Sequence, residues 1–151
     1  MGDAGAGLRI YDVSDPNQIQ TLAGYDTSGW STGVDVSDGI AYVADQGAGL
    51  QIIDVTEPYN PTWLNRYLKT GIASRVAVSQ GVAFVANGAD NLLLLDVRKP
   101  QWPRALGNLP TGGNAVDVAI SGETVCVADG NGGISVFHIP LPDWAPKITQ
   151  Q

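Results

Sequence analysis

Apolar residues come in short runs along this chain, separated by turn-forming residues, chiefly Gly, Pro, Asn, Asp and Ser. The segment VDVSDGIAYVADQGAGLQIIDV, residues 34–55, shows the pattern. Val34-Asp35-Val36 alternates with the two-residue step of a strand, Ser37-Asp38-Gly39 is a turn, and a second run extends from Ile40 to Ala44. Residues 45–49 break the pattern again before a third run, Leu50 to Val55. After the turn TEPYNP a more polar run goes from about Thr62 to Leu68. Turn-forming residues stand at every junction, and no window holds apolar positions at helical spacing. The chain therefore reads as all-β.

This four-strand pattern repeats. DAGAGLRIYDVSDP begins at Asp3, DQGAGLQIIDVTEP at Asp45, NGADNLLLLDVRKP at Asn87 and DGNGGISVFHIPLP at Asp129, each 42 residues after the last with no insertion. The segments between them, GVDVSDGIAYVA, RVAVSQGVAFVA and DVAISGETVCVA, also align without gaps. Strands A to C of each unit are apolar on both faces, as in Val76-Ala77-Val78 or Leu92 to Leu95, so each sheet must be covered on both sides. Strand D carries Arg66, Lys69, Arg104 and Lys147 on it or just after it, and charge on an outer edge strand blocks edge-to-edge pairing. Four antiparallel strands in 42 residues make the blade of a β-propeller. Helical repeats of similar period are excluded by the nineteen Gly and nine Pro, and the Gly-His and Trp-Asp signatures of WD repeats do not recur.

The repeated GLRIYDV, GLQIIDV and NLLLLDV, each with a Pro soon after it, resemble the LVIVD repeat of bacterial surface and secreted proteins. The resemblance extends from Asp3 to about Pro146. It implies a β-propeller, an extracellular or cell-surface location, and a family whose members mostly lack an established activity. The fourth copy departs from it: His138 stands where Asp12, Asp54 and Asp96 stand.

Residues 1–151 read as one partial propeller of about 3.5 blades, whereas closed propellers have about four to eight. The chain starts at strand C of one blade and ends near strand D of another, so an open arc would leave an apolar face at each end. Association is the expected consequence. Two arcs would close a ring of seven or eight blades as a homo-oligomer, or the chain would be completed by the remainder of a longer propeller.

Net charge changes the list of partners. At −7 the chain lacks the Lys and Arg that nucleic acid or an anionic membrane requires, and no apolar stretch approaches a membrane span. The start of the chain has no charged segment followed by an apolar one. Cys126 is the only cysteine, which excludes an intrachain disulfide; it aligns with Tyr42 and Phe84 and reads as a small core residue.

Candidate chemistry is sparse. GWSTG, residues 29–33, matches the G-x-S-x-G elbow, but a strand follows Ser31 where the elbow needs a helix, and the equivalents GIASR and GNAVD lack the motif. His138 is the only histidine, so it reads as a turn residue without a metal partner of its own kind. Asp129-Gly130-Asn131-Gly132 imitates the start of a calcium loop, yet Pro140 stands at the twelfth position. Asp45 and Asp129 therefore read as local caps that accept backbone N–H groups of their own hairpins, and Asp12, Asp54 and Asp96 as caps of the C–D turns. No cofactor or metal is expected.

Function is better sought where the units differ. The loops preceding strand A and those joining B to C crowd one mouth of a propeller, and there Trp30, Arg75 and Asp117 are chemically capable and not repeated. An aromatic plane, a guanidinium and a carboxylate suit a protein or glycan ligand. A salt-bridged channel lining is the plainer role. At the opposite end Trp102 and Trp144 occupy equivalent C–D turns, either as a recognition patch or, more simply, to close the gap between blades. The expectation is a non-enzymatic scaffold or interaction module. The rivals are a hydrolase or lyase with an Asp/Arg site at the mouth, and a purely structural ring without ligand.

Overall fold

The computed structural model describes residues 2–3, 6–68 and 71–140. The first blade contains β1 (Gly2–Asp3), β2 (Gly7–Asp12) and β3 (Gln20–Tyr25). The second contains β4 (Gly33–Ser37), β5 (Ile40–Ala44), β6 (Leu50–Asp54) and β7 (Thr62–Tyr67). The third repeats it as β8 (Arg75–Ser79), β9 (Val82–Ala86), β10 (Leu92–Asp96) and β11 (Arg104–Leu109). The fourth shows β12 (Asp117–Ser121), β13 (Thr124–Ala128) and β14 (Ile134–His138), with a short 3₁₀ turn at Gly130–Gly132. Each sheet is an antiparallel meander in chain order. The expected strand D of the last unit, with Trp144 and Lys147, lies outside the described residues.

The chain does not begin at strand C. Gly2 pairs with Leu8 and Asp3 with Gly7, so β1 supplies a two-residue stub of strand B. The rest of the inner edge of β2 has no such partner strand among the described residues, whereas β6 pairs with β5 over five residues.

Local sequence explains the regularity. Asp38-Gly39 and Gln80-Gly81 hold positive φ at both turn positions, the geometry whose twist matches a tight hairpin. Positions 7, 49, 91 and 133 are Gly, Gly, Asn and Gly and all have positive φ, which ends the B–C turn and aims the next strand back along the sheet. A β-bulge recurs in each C–D pair, between Ile10/Tyr11, Ile52/Ile53 and Leu94/Leu95, and adds twist toward the outer strand.

Because side chains alternate, each inner sheet contributes to two cores. Tyr42, Ala44, Leu50 and Ile52 of the second blade meet Val76, Val85, Leu93 and Leu95 of the third. The other face of the third, with Phe84, Leu92 and Leu94, meets Val118, Val125 and Val127 of the fourth. A smaller cluster, Leu8 with Ala41, Val43 and Ile53, joins the first blade to the second. The first strands β4, β8 and β12 lie side by side on the inner surface of the arc, and the Val78 N–H donates to Asp35 Oδ2 of the preceding blade at 2.7 Å.

Candidate functional site

The mouth is built on a polar lock that is fullest in the second blade. Asp45 is fully buried at the start of the B–C turn. Its Oδ1 accepts the hydroxyls of Thr27 (2.8 Å) and Ser31 (2.7 Å), and its Oδ2 accepts the Gly29 N–H (3.0 Å) and the Gln51 amide (3.3 Å). The Trp63 indole in turn donates to Gln51 Oε1 at 3.1 Å. The expected local cap is therefore corrected: the Asp45 side chain reaches across to the loop entering β4 and ties the outer strand's exit to the B–C turn.

Sequence spacing echoes the lock 84 residues on, where Thr111 donates to the fully buried Asp129 at 2.5 Å. Gly29, Gly71 and Gly113 hold one position in the three loops, and an added Cβ would collide with the carbonyl oxygen of Asp45, Asn87 or Asp129 respectively. These glycines serve close backbone approach. In the fourth blade Ala115 and Ser135 replace Ser31 and Gln51, and Asp129 Oδ2 has no hydrogen-bond partner among the described residues.

Neighbouring blades are stitched together at the same mouth. Gln46 and Ala73 exchange backbone hydrogen bonds (3.0 and 3.3 Å), as do Gly88 and Ala115 (3.0 and 3.1 Å). Onto this rim the structure places the expected site residues. Arg75 donates to the carbonyls of Thr32 and Ser74, and its Nε lies 3.9 Å from Asp117 Oδ1 of the next blade. Both side chains stay about half exposed or more, so solvent screening leaves this pair a modest contributor to stability. Trp30 is 58% exposed at the loop before β4, and Ile72, its equivalent one blade on, is exposed as well. The rim thus combines exposed apolar groups with one oriented ion pair.

The remaining candidates resolve differently. Ser31 Oγ is buried against Asp45 and leads into a strand. His138 Nε2 stands 3.4 Å from Glu123 Oε2, both exposed. No group of three His, Cys, Asp or Glu able to hold a metal occurs among the described residues. Asp12, Asp54 and Asp96 cap their turns as expected, accepting the N–H of Ser14 (2.8 Å), Thr56 (2.9 Å) and Arg98 (3.1 Å). The Arg98 side chain on Asp96, the Thr56 hydroxyl on Asp54 and the Ser14 N–H on Asp12, each backed by the other bonds of its turn, hold all three carboxyls below the ordinary 3.8.

Two of the simpler readings fail, each for its own reason. Cys126 is only half-buried, and Trp102 is 73% exposed instead of closing a gap between blades. A blade position is buried only if the neighbouring strand reaches over it. Cys126 lies on the outer face of the last described sheet, and Trp102 stands at the tip of a turn.

The end faces show the largest departures from blade to blade. Ile134 and Val136 are 74% and 63% exposed, although the equivalent Leu50 and Leu92, Ile52 and Leu94 are at most 1% exposed. At the other end Tyr11 and Val13 are exposed, whereas Ile53, Leu95 and Val97 at the same positions are buried. A groove of about 350 Å³ lined by Leu8, Ile10, Val34, Val36 and Ala41 runs beside the open edge of β2.

Comparison with known proteins agrees with this repeat. No curated protein matches the sequence. Among solved structures the fold is similar to the computationally designed Ika4 protein, at 12% identity and TM-score 0.71, covering 92% of this chain and 83% of that one. It is also similar to the computationally designed Ika8 protein, at 14% identity and TM-score 0.63; there 80% of this chain matches and spans only 37% of the other. The family model described as the LVIVD repeat matches residues 28–69, 70–111 and 112–139, the same 42-residue period in a phase that starts at the loop before strand A. The chain thus belongs to the LVIVD repeat family and has the propeller-like architecture expected of it.

Proposed function

We propose that this repeat scaffold is a non-enzymatic interaction module whose open arc is completed by a second copy and whose rim binds a protein or glycan. The observation that carries the reading is the exposure of Ile134 and Val136 at positions that are sealed in both inner blades. Uncovering two large aliphatic side chains forgoes about 1.5–3 kcal/mol each, a cost that stacking against another blade removes. Stacking of the C-terminal face on the Tyr11/Val13 face of another copy repeats the blade-to-blade contact already present inside the chain, and two such contacts close a ring. An extracellular or cell-surface location in bacteria follows from the family resemblance and belongs to the same proposal.

Cys126 is a built-in reporter for this reading, because it lies on that C-terminal face and is the only thiol. Its rate of reaction with a soluble disulfide reagent is expected to fall as protein concentration rises and the face becomes covered. A rate independent of concentration across the micromolar to millimolar range would count against a covered face. At the rim, Arg75 and Asp117 with the exposed Trp30 are the groups through which a ligand is held.

A further inference from the structure

The C–D turn of the third blade differs in charge and in its aromatic residue from those of the first and second blades. Lys99 replaces Asp15 and Glu57, Arg98 replaces Ser14 and Thr56, Arg104 replaces Gln20 and Thr62, and Trp102 replaces Gln18 and Asn60. Three of the chain's eight basic residues thereby meet at one turn of an acidic protein. Asp96, Arg98, Lys99, Trp102 and Arg104 line a half-open pocket of about 550 Å³, within the range of small-molecule sites.

The pocket is held in shape. The Trp102 N–H donates to the Lys99 carbonyl (2.7 Å), and Asn65 Nδ2 of the second blade donates to the Gln101 carbonyl (2.7 Å). Pro100 and Pro103 restrict the backbone on either side of the indole. At the floor Asp96 receives Arg98 through Nε (2.9 Å) and a terminal nitrogen (2.6 Å), and it faces Arg104 across the strand pair. Lys99 and Arg104 have no carboxylate in ion-pair contact among the described residues.

We infer that this pocket binds a carboxylated sugar ring, the uronate unit of an acidic polysaccharide. A single inorganic anion would leave the aromatic wall and most of the volume unused. A run of acidic peptide would offer carboxylates but neither a C–H ring face for the Trp102 indole nor hydroxyl donors for Asp96. A uronate presents one carboxylate to Lys99 and Arg104, a C–H face to the Trp102 ring, and a hydroxyl that donates to Asp96 Oδ2, which takes a single bond from Arg98 whereas Oδ1 takes two. The site lies on the turn side of the blade, independent of the rim and of the end faces.

Calorimetric titration of the full chain with tetragalacturonate, maltotetraose and tetraglutamate tests this. Tetragalacturonate is expected to bind, with affinity that falls as salt rises, and at least about tenfold more tightly than the other two. Trp102→Ala, Lys99→Gln and Arg104→Gln are each expected to weaken it by about tenfold or more with unchanged melting temperature, as for other exposed anchors. Arg66→Gln, a basic residue outside the pocket, is expected to leave it unchanged. Absence of tetragalacturonate binding overturns the assignment. So does equal binding of maltotetraose or tetraglutamate, or an equal loss from Arg66→Gln.

Discussion

Replacing Asp45 by alanine is expected to destabilise the protein by about 3–5 kcal/mol, because two hydroxyls, one amide and one backbone N–H lose a shared buried acceptor at once. For a chain of this size that lowers the melting temperature by roughly 10 °C. Asp45→Asn keeps the shape and one acceptor oxygen but turns a second amide toward Gly29 N–H and Gln51, and about half the loss is expected. The third blade has the amide in a thinner network: Asn87 holds this position where Ala73 and Leu93 replace Ser31 and Gln51 and remove two donors. Denaturant unfolding of the two variants beside the parent decides the matter. A change below about 1 kcal/mol for the alanine would mean that the lock contributes little beyond its neighbours' solvation.

A second large effect is expected at the end faces. Val136→Arg places a charge at the centre of the C-terminal face, and Tyr11→Arg does the same at the N-terminal face. In head-to-tail closure every junction uses one face of each kind, so either variant alone abolishes association. Burying the unpaired charge weakens it by about a hundredfold or more. An equimolar mixture of the two restores one intact junction, and a heterodimer appears that neither variant forms alone. If Tyr11→Arg left association untouched while Val136→Arg abolished it, the copies would be joined through two like faces, and the ring would not close.

Most of the architecture was legible in the sequence because blade geometry is set locally. The bounds of β5 match the apolar run Ile40 to Ala44, and the period of 42 carries over unchanged to the family match. The candidate site was less legible. The reach of Asp45 was missed because its partners Thr27 and Ser31 lie 18 and 14 residues earlier, in a loop that belongs to the same blade only after folding. A signal existed: the set Thr27, Gly29 and Asp45 recurs as Thr111, Gly113 and Asp129. Cys126 was misplaced because alignment to inner blades predicts burial only where a further blade supplies the cover, and for Trp102 the exposure fits the recognition patch rather than the gap closer. The acidic total charge likewise hid the basic turn at Arg98, Lys99 and Arg104, since net charge averages over surfaces that act separately.

Coverage of the exposed end faces by another copy is tested most directly by the solution mass. Light scattering across a concentration series is expected to give twice the chain mass of 15.8 kDa at high concentration, with a fall toward 15.8 kDa on dilution or in the Val136→Arg variant. A mass of 15.8 kDa at every concentration, without binding of a hydrophobic dye, would contradict it.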